Sequence, residues 1–275
     1  MDTNQETTSP SDQVPLALSD LHVAFGGNRV LEGVDIDFAP GFNGLIGPNG
    51  AGKTTIFNVL SGYVKASRGA ALLEGKDLSE LKQTDRVRNG ISRTFQSPKL
   101  ILDATVLENV LLGMHADFKR GHVTELFRFP HQRTEETRAR EKCMDMLERF
   151  GLAEEAHKET GDLSLGSQKL VEVCRALVGD PKVLLLDEPA AGLGADDVTV
   201  LLTVLRDIVE ETNLCLVLIE HDLDLVTNIC PIIYVLHFGR IISEGTPEVI
   251  TSDPVVIEAY LGKGYAPDEG SSDAV

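Results

Sequence analysis

The sequence predicts an α/β fold: a mainly parallel sheet covered by helices, opened by an antiparallel β segment and interrupted by an inserted helical lobe. Three observations carry this expectation. The short apolar runs Val183–Leu186, Leu214–Ile219 and Ile232–Leu236 alternate with helical stretches, and apolar strands alternating with helices build a parallel sheet buried on both faces. Leu16–Phe25 and Val30–Phe38 instead show partial period-two alternation, with Gly26-Gly27-Asn28 as the turn signal between them. Residues 97–177 carry few strand signals and several helical ones.

At 275 residues the chain can hold one large α/β domain or a core with a smaller lobe. The expected layout is a core of residues 16–96 and 178–262, a helical lobe at about 97–177, and disordered tails at 1–15 and 263–275. Both tails are polar, and the second is rich in Gly, Ser, Asp and Glu. The first fifteen residues lack the apolar stretch of a secretory leader. No apolar run approaches the ~20 residues of a membrane-spanning helix; Leu223–Phe238 is broken by Thr227, Asn228 and Pro231. A formal charge of -18 argues against nucleic acid as a partner. Cys143, Cys174, Cys215 and Cys230 show neither paired nor metal-binding spacing, and read as small core residues in a reducing cytoplasm.

Along the chain, the hairpin is followed by a strand at Phe42–Ile46, a glycine-rich loop, and a helix over Lys53–Tyr63. A further helix is expected over Thr134–Phe150, where Ala139, Cys143, Met146, Leu147 and Phe150 fall at helical spacing. Glu135 and Glu136 suit its first turn and Gly151 its end.

The loop is GPNGAGKTT, Gly47 to Thr55. It fits the pattern G-x-x-x-x-G-K-[ST] in the required context, after a strand and at the start of a helix. Gly47, Gly50 and Gly52 let the backbone curl through Pro48 so that its N–H groups converge on phosphates, and the following helix adds its positive end. Lys53 reaches the outer phosphates, the Thr54 hydroxyl binds Mg²⁺, and Asn49, Ala51 and Thr55 complete the nucleotide-binding stretch. A second acidic site follows in VLLLDEP, Val183 to Pro189. At the carboxyl end of a buried strand, Asp187 is placed to hold Mg²⁺ directly or through water, and Glu188 to act as general base toward the attacking water.

LSLGSQ, Leu163 to Gln168, precedes a helix and lies about twenty residues before the acidic pair. It resembles the signature motif of ATP-binding cassette (ABC) proteins, usually LSGGQ, and the order phosphate loop, signature, acidic strand is that of the family. Phe95-Gln96 is similar to its Q-loop, His221 in LIEHD to its switch histidine, and Phe25 stands where an aromatic stacks on adenine. The resemblance spans about Leu16 to Gly262. It implies that two such domains pair head to tail around two ATP molecules. Ser164, Leu165, Gly166, Ser167 and Gln168 would serve the partner's γ-phosphate. Gln96 would sense Mg²⁺ and water, and His221 would hold the γ-phosphate and water.

SRTFQSPKLI, ATVLENVLLGMH, the insertion from about His115 to Lys142 and the ending VVIEAYLG resemble the larger ATPase subunits of branched-chain amino acid importers and their relatives for amides, urea or aromatic acids. That likeness implies a second ATPase subunit, identical or different, two multi-spanning membrane subunits, and an external solute-binding protein acting indirectly. The chain would then sit peripherally on the cytoplasmic face of the membrane. Export or lipid extraction by the same family is the alternative reading; a non-transport ATPase on ribosomes or DNA fits less, given one motif set and the acidic charge. The sequence departs from the family at Ser167, at Gly194 and at Cys230-Pro231, and the first two lean toward unequal composite sites.

Overall fold

The computed structural model describes residues 14–116 and 130–261. The expected tails, apart from Val14 and Pro15, lie outside the described residues, as do Gly262 and the middle of the insertion at 115–142. Two sheets form. The first is antiparallel: β1 (Leu16–Phe25) pairs with β2 (Asn28–Phe38) and with β4 (Arg68–Leu73), which carries the short β5 (Lys76–Asp77). β2 starts two residues before the expected Val30. Gly26 and Gly27, with φ of 54° and 92°, make the whole turn between them, so Asn28 pairs with Phe25.

The second sheet has the order β10-β9-β3-β8-β7-β6. Its strands are β3 (Gly41–Ile46), β6 (Ile91–Arg93), β7 (Val183–Asp187), β8 (Cys215–Ile219), β9 (Ile232–His237) and β10 (Arg240–Gly245). All its pairings are parallel except that of β10 with β9. Alternate side chains feed opposite cores. Leu184, Leu186, Leu216 and Leu218 join one apolar cluster, while Val183, Leu185, Val217 and Ile219 join the other. Burial on both faces explains why these strands read as unbroken apolar runs.

α1 (Lys53–Leu60) and the antiparallel sheet cover the second cluster, with Ile56, Phe57 and Leu60 fully buried. Helix α1 ends before the expected Tyr63, because Gly62 turns to φ 82° and the N–H groups of Tyr63 and Val64 both donate to the Asn58 carbonyl. The short α2 (Gln83–Arg88) follows β5. The other cluster is built from α3 (Val106–Leu111), α4 (Pro130–Arg149), α5 (Leu165–Leu177), α6 (Ala195–Thr212) and α7 (Leu223–Ile229). Helix α4 starts four residues earlier than expected, on a proline, which the first helical turn tolerates. Ala139, Cys143, Met146, Leu147 and Phe150 are all buried as their spacing predicts. α8 (Pro247–Ser252) and α9 (Pro254–Leu261) close the chain. No described helix is long and apolar enough to cross a membrane.

This topology sets the site. The parallel strands β3, β6, β7 and β8 run together, so Gly47, Thr94, Glu188 and Glu220 all follow strand ends on one edge of the sheet, where open α/β folds bind ligands.

Candidate functional site

A cleft of about 630 Å³ opens at that edge, within the range of small-molecule sites. Its walls include Asn49–Thr55, Arg93, Phe95, Gln96, Asp187, Glu188 and His221. Residues scattered over 170 positions of sequence thus meet in one place. The phosphate loop curls through left-handed glycines: φ is 79° at Gly50 and 114° at Gly52, which caps α1. A side chain at Gly50 would meet nothing within 4 Å, so its backbone faces open space. Gly47 is tightly enclosed instead, since a Cβ there would stand 2.0 Å from the Leu236 carbonyl oxygen.

Lys53 is 6% exposed, and its Nζ donates to the carbonyl oxygens of Gly47 and Pro48 at 2.5 and 3.1 Å. Burial pushes its pKa below the ordinary lysine value, while the charges of Glu188 and Asp187 act in the opposite sense. A buried ammonium satisfied only by its own loop's carbonyls, beside α1's first turn with no acidic residue, is an anion site by its chemistry.

Opposite it, Glu188 has a left-handed backbone, φ 50°, rare for a residue with a side chain. Its N–H continues the β7–β8 ladder by donating to the Ile219 carbonyl at 2.9 Å. The turn aims the carboxylate into the cleft. There Oε2 accepts from Gln96 Nε2 at 3.0 Å, and Oε1 lies 2.8 Å from His221 Nε2. Three residues singled out from sequence therefore form one hydrogen-bonded group.

Asp187 is nearly buried, and burial raises its pKa above the ordinary carboxylate value against the opposing pull of Arg93. Arg93 Nη2 donates to Asp187 Oδ2 at 3.1 Å, and its Nη1 donates to Asn58 Oδ1 and Ser61 Oγ at 2.7 and 3.0 Å. The guanidinium lies 5.5 Å from the Phe57 ring centre and 5.0 Å from that of Phe95. Its buried Nε has no partner. The oxygen donors offered here, the Thr54 hydroxyl, the Asp187 carboxylate and the Gln96 amide, are hard ligands of the kind Mg²⁺ takes alongside phosphate and water.

The signature residues stand apart from this cleft. Ser164 caps α5: its Oγ accepts from Ser167 N–H at 3.0 Å and lies 2.9 Å from Ser167 Oγ. Leu165 is 74% exposed, and Gln168 Nε2 donates to the Leu163 carbonyl at 3.1 Å. Phe25, at the tip of the β1–β2 hairpin, is 51% exposed and does not line the cleft, so packing in a core does not account for it.

Four residues of this arrangement were not singled out from the sequence. Arg93 and Asn58 could be found only through the fold, because the partners of Arg93 lie 35 and 94 positions away. Lys169 Nζ donates to the Glu188 carbonyl at 3.1 Å, bracing the strained turn from α5. Glu220, 4% exposed, accepts from the N–H groups of Ala190 and His221 at 2.9 and 3.3 Å, and burial raises its pKa.

Known proteins are similar to this chain in sequence and fold. Residues 31–191 match the family described as ABC transporter, and residues 240–266 match one described as branched-chain amino acid ATP-binding cassette transporter. The high-affinity branched-chain amino acid transport ATP-binding protein LivG of Escherichia coli K12 is 39% identical over 249 residues, 90% of this chain and 98% of its own. BraF of Pseudomonas aeruginosa, described in the same words, is 38% identical over 252 residues, with the same coverage. A nucleotide-free ATP-binding cassette from an ABC transporter superposes with a TM-score of 0.77 at 34% identity, over 90% of this chain and 99% of that one. A structure of the ADP conformation of an ATP-binding cassette of an ABC transporter gives 0.76 at 34%, over 90% and 98%. The phosphate loop, the acidic strand end and this similarity over nine-tenths of the sequence lead to one conclusion: the chain belongs to the ABC transporter family and is an ATP-hydrolysing, nucleotide-binding subunit of it.

Proposed function

We propose that the chain energises import of branched-chain amino acids, or of closely related amino-acid and amide solutes. The phosphate loop Gly47–Thr55 binds the triphosphate, with Lys53 leaving the carbonyls of Gly47 and Pro48 for the outer phosphates. Mg²⁺, when bound, would neutralise the developing phosphate charge; Thr54, Asp187 and Gln96 are the residues that would hold it. Glu188 orients the attacking water and takes its proton, Gln96 and His221 hold that carboxylate and the water in line, and Phe25 offers the adenine a stacking face. Ser164, Leu165, Gly166, Ser167 and Gln168, which do not line the cleft, serve the site of a second cassette subunit. Two multi-spanning subunits carry the solute, with an external binding protein delivering it, at the cytoplasmic face of the membrane.

The single observation that carries the hydrolytic reading is the Gln96–Glu188–His221 group facing Lys53 across the cleft. The likeness to LivG and BraF over nine-tenths of the chain supports the solute class. Glu188→Gln tests the first part: turnover should fall at least ~100-fold, the usual share of a general base, with ATP affinity retained. Normal hydrolysis by that variant would remove Glu188 from its role. For the second part, uptake of labelled leucine by cells lacking the chain should be lost and restored by it. Unchanged leucine uptake alongside lost efflux of another solute would favour export.

A further inference from the structure

One buried carboxylate outside the cleft remains. Glu172, in the third turn of α5, is 2% exposed. Burial raises its pKa, against the pull of the donors around it. Such a group persists in a protein interior only where its oxygens find donors. Its donors are the two ends of one short segment. Phe95 N–H donates to Oε2 at 3.3 Å and Lys99 N–H donates to Oε1 at 2.9 Å. Arg175, on the same helix, closes the frame: Nη1 donates to the Lys99 carbonyl at 2.7 Å and Nη2 to Glu172 Oε1 at 3.3 Å. The bracketed segment contains Gln96, whose amide reaches Glu188 at 3.0 Å. A loop that would otherwise place Gln96 loosely is pinned at both ends to a thirteen-residue helix.

We propose that Glu172, with Arg175, is a positioning residue for hydrolysis: it fixes the Phe95–Lys99 segment so that the Gln96 amide meets the Glu188 carboxylate. This rests on the role assigned to Gln96 above. Neither Glu172 nor Arg175 lines the cleft, so their effect falls on turnover rather than on nucleotide affinity. Only a carboxylate accepts from both N–H groups at once. A glutamine in its place has one acceptor oxygen and turns an N–H₂ group toward the other amide. Misplacing a catalytic group by about 1 Å costs on the order of 100-fold in rate.

The test compares the full chain with Glu172→Gln, Gln96→Ala and the double variant. Turnover, KM for ATP and amide hydrogen exchange over residues 95–99 are measured in each. Glu172→Gln should lower kcat by roughly 10- to 100-fold, the share of one charge-assisted hydrogen bond, and leave KM within about twofold. Exchange at the Phe95 and Lys99 amides should quicken. The double variant should be no slower than Gln96→Ala alone, because Glu172 acts through Gln96. A purely structural Glu172 would make the two losses multiply, and unchanged exchange at Phe95 and Lys99 would show that it holds nothing; either result overturns the proposal and leaves the role of Gln96 standing. Normal hydrolysis by Gln96→Ala would overturn both. If Glu172→Gln does not fold, Arg175→Lys, which keeps the charge but loses the forked donor, should show the same pattern at smaller size.

Discussion

Arg93→Met in the nucleotide-free protein is the sharpest probe of how the cleft is held before ligand arrives. Methionine keeps the length and the packing between Phe57 and Phe95 but removes the guanidinium. Both partners of the Arg93–Asp187 pair are buried, with side chains 6% and 7% exposed. Breaking such a pair from one side typically costs ~3–5 kcal/mol, because the remaining charge is stranded. One term opposes this. The Nε of Arg93 is already buried without a partner, and removing an orphaned donor returns ~1–3 kcal/mol. The net loss should be about 2 kcal/mol, which for a chain of this size lowers the melting temperature by ~4–8 °C. The assay is thermal and urea unfolding of the full chain, repeated in an Asp187→Asn background. There the stranded charge no longer exists, so Arg93→Met should cost less than ~1 kcal/mol or stabilise, a coupling of the usual size for contacting buried groups. An equal loss in both backgrounds would refute the argument, by showing that Arg93 acts through its rings and hydroxyl contacts rather than through Asp187.

Three further outcomes follow from other parts of the structure. Burial pushes the Cys143 thiol up to about 11 and those of Cys215 and Cys230 to about 12, and Cys174 is raised as well; a thiol reagent at pH 8 should label none in the native chain and all four in guanidinium, and rapid native labelling would contradict the burial. Gly47→Ala should lose the more stability, because its Cβ meets the Leu236 carbonyl, whereas Gly50→Ala meets open space, costs only the ~1–2 kcal/mol of a left-handed backbone and should lose ATP affinity; equal melting temperatures would break this contrast. Glu172 and Glu220 have folded pKa values above the ordinary 4.5, so between that value and the raised one the folded state binds more protons than the unfolded state, and stability falls as pH rises through that window. Glu172→Gln should therefore flatten the stability–pH curve measured by urea unfolding above about pH 4.5, and an unchanged slope would remove Glu172 from the titration.

The main sheet was legible because its strands are buried on both faces: β7 and β8 have no exposed position, so their apolar runs are unmistakable. The strands the sequence did not announce are those with one open face or little side chain. β4 reads RGAALL, and β10 reads RIISEG with no fully buried residue. The same contrast divides the site. Gly47–Thr55 is contiguous and matches the fixed spacing of a phosphate-binding loop, so it could be read directly. Glu188, Gln96 and His221 could be named one by one, but their meeting depends on the parallel register that sets Asp187 beside Ile219. Arg93, Lys169, Glu172 and Glu220 carry no local pattern. Each is an ordinary charged residue whose role comes from burial and from partners far along the chain.

Where local rules are broken, the breaches gather. Lys53, Asp187 and Glu220 are buried charges, Arg93 leaves a buried nitrogen unsatisfied, and Glu188 is twisted into a left-handed turn. Each works against stability by an amount of order 1–3 kcal/mol. These lie within or beside one cleft, whereas the buried charges away from it, Arg86 and Glu172, are spread over backbone partners. Of the other side chains with left-handed backbones, Glu74, Asp180 and Asn213 sit in surface turns that link elements, and Asp20 sits at a register shift within β1. An extended Glu188 would relieve its strain but carry the carboxylate away from Gln96 and His221. The bracing by Lys169 and by Ile219 therefore does not stabilise the fold for its own sake. It holds a costly conformation at the one turn where a carboxylate must face the phosphate loop.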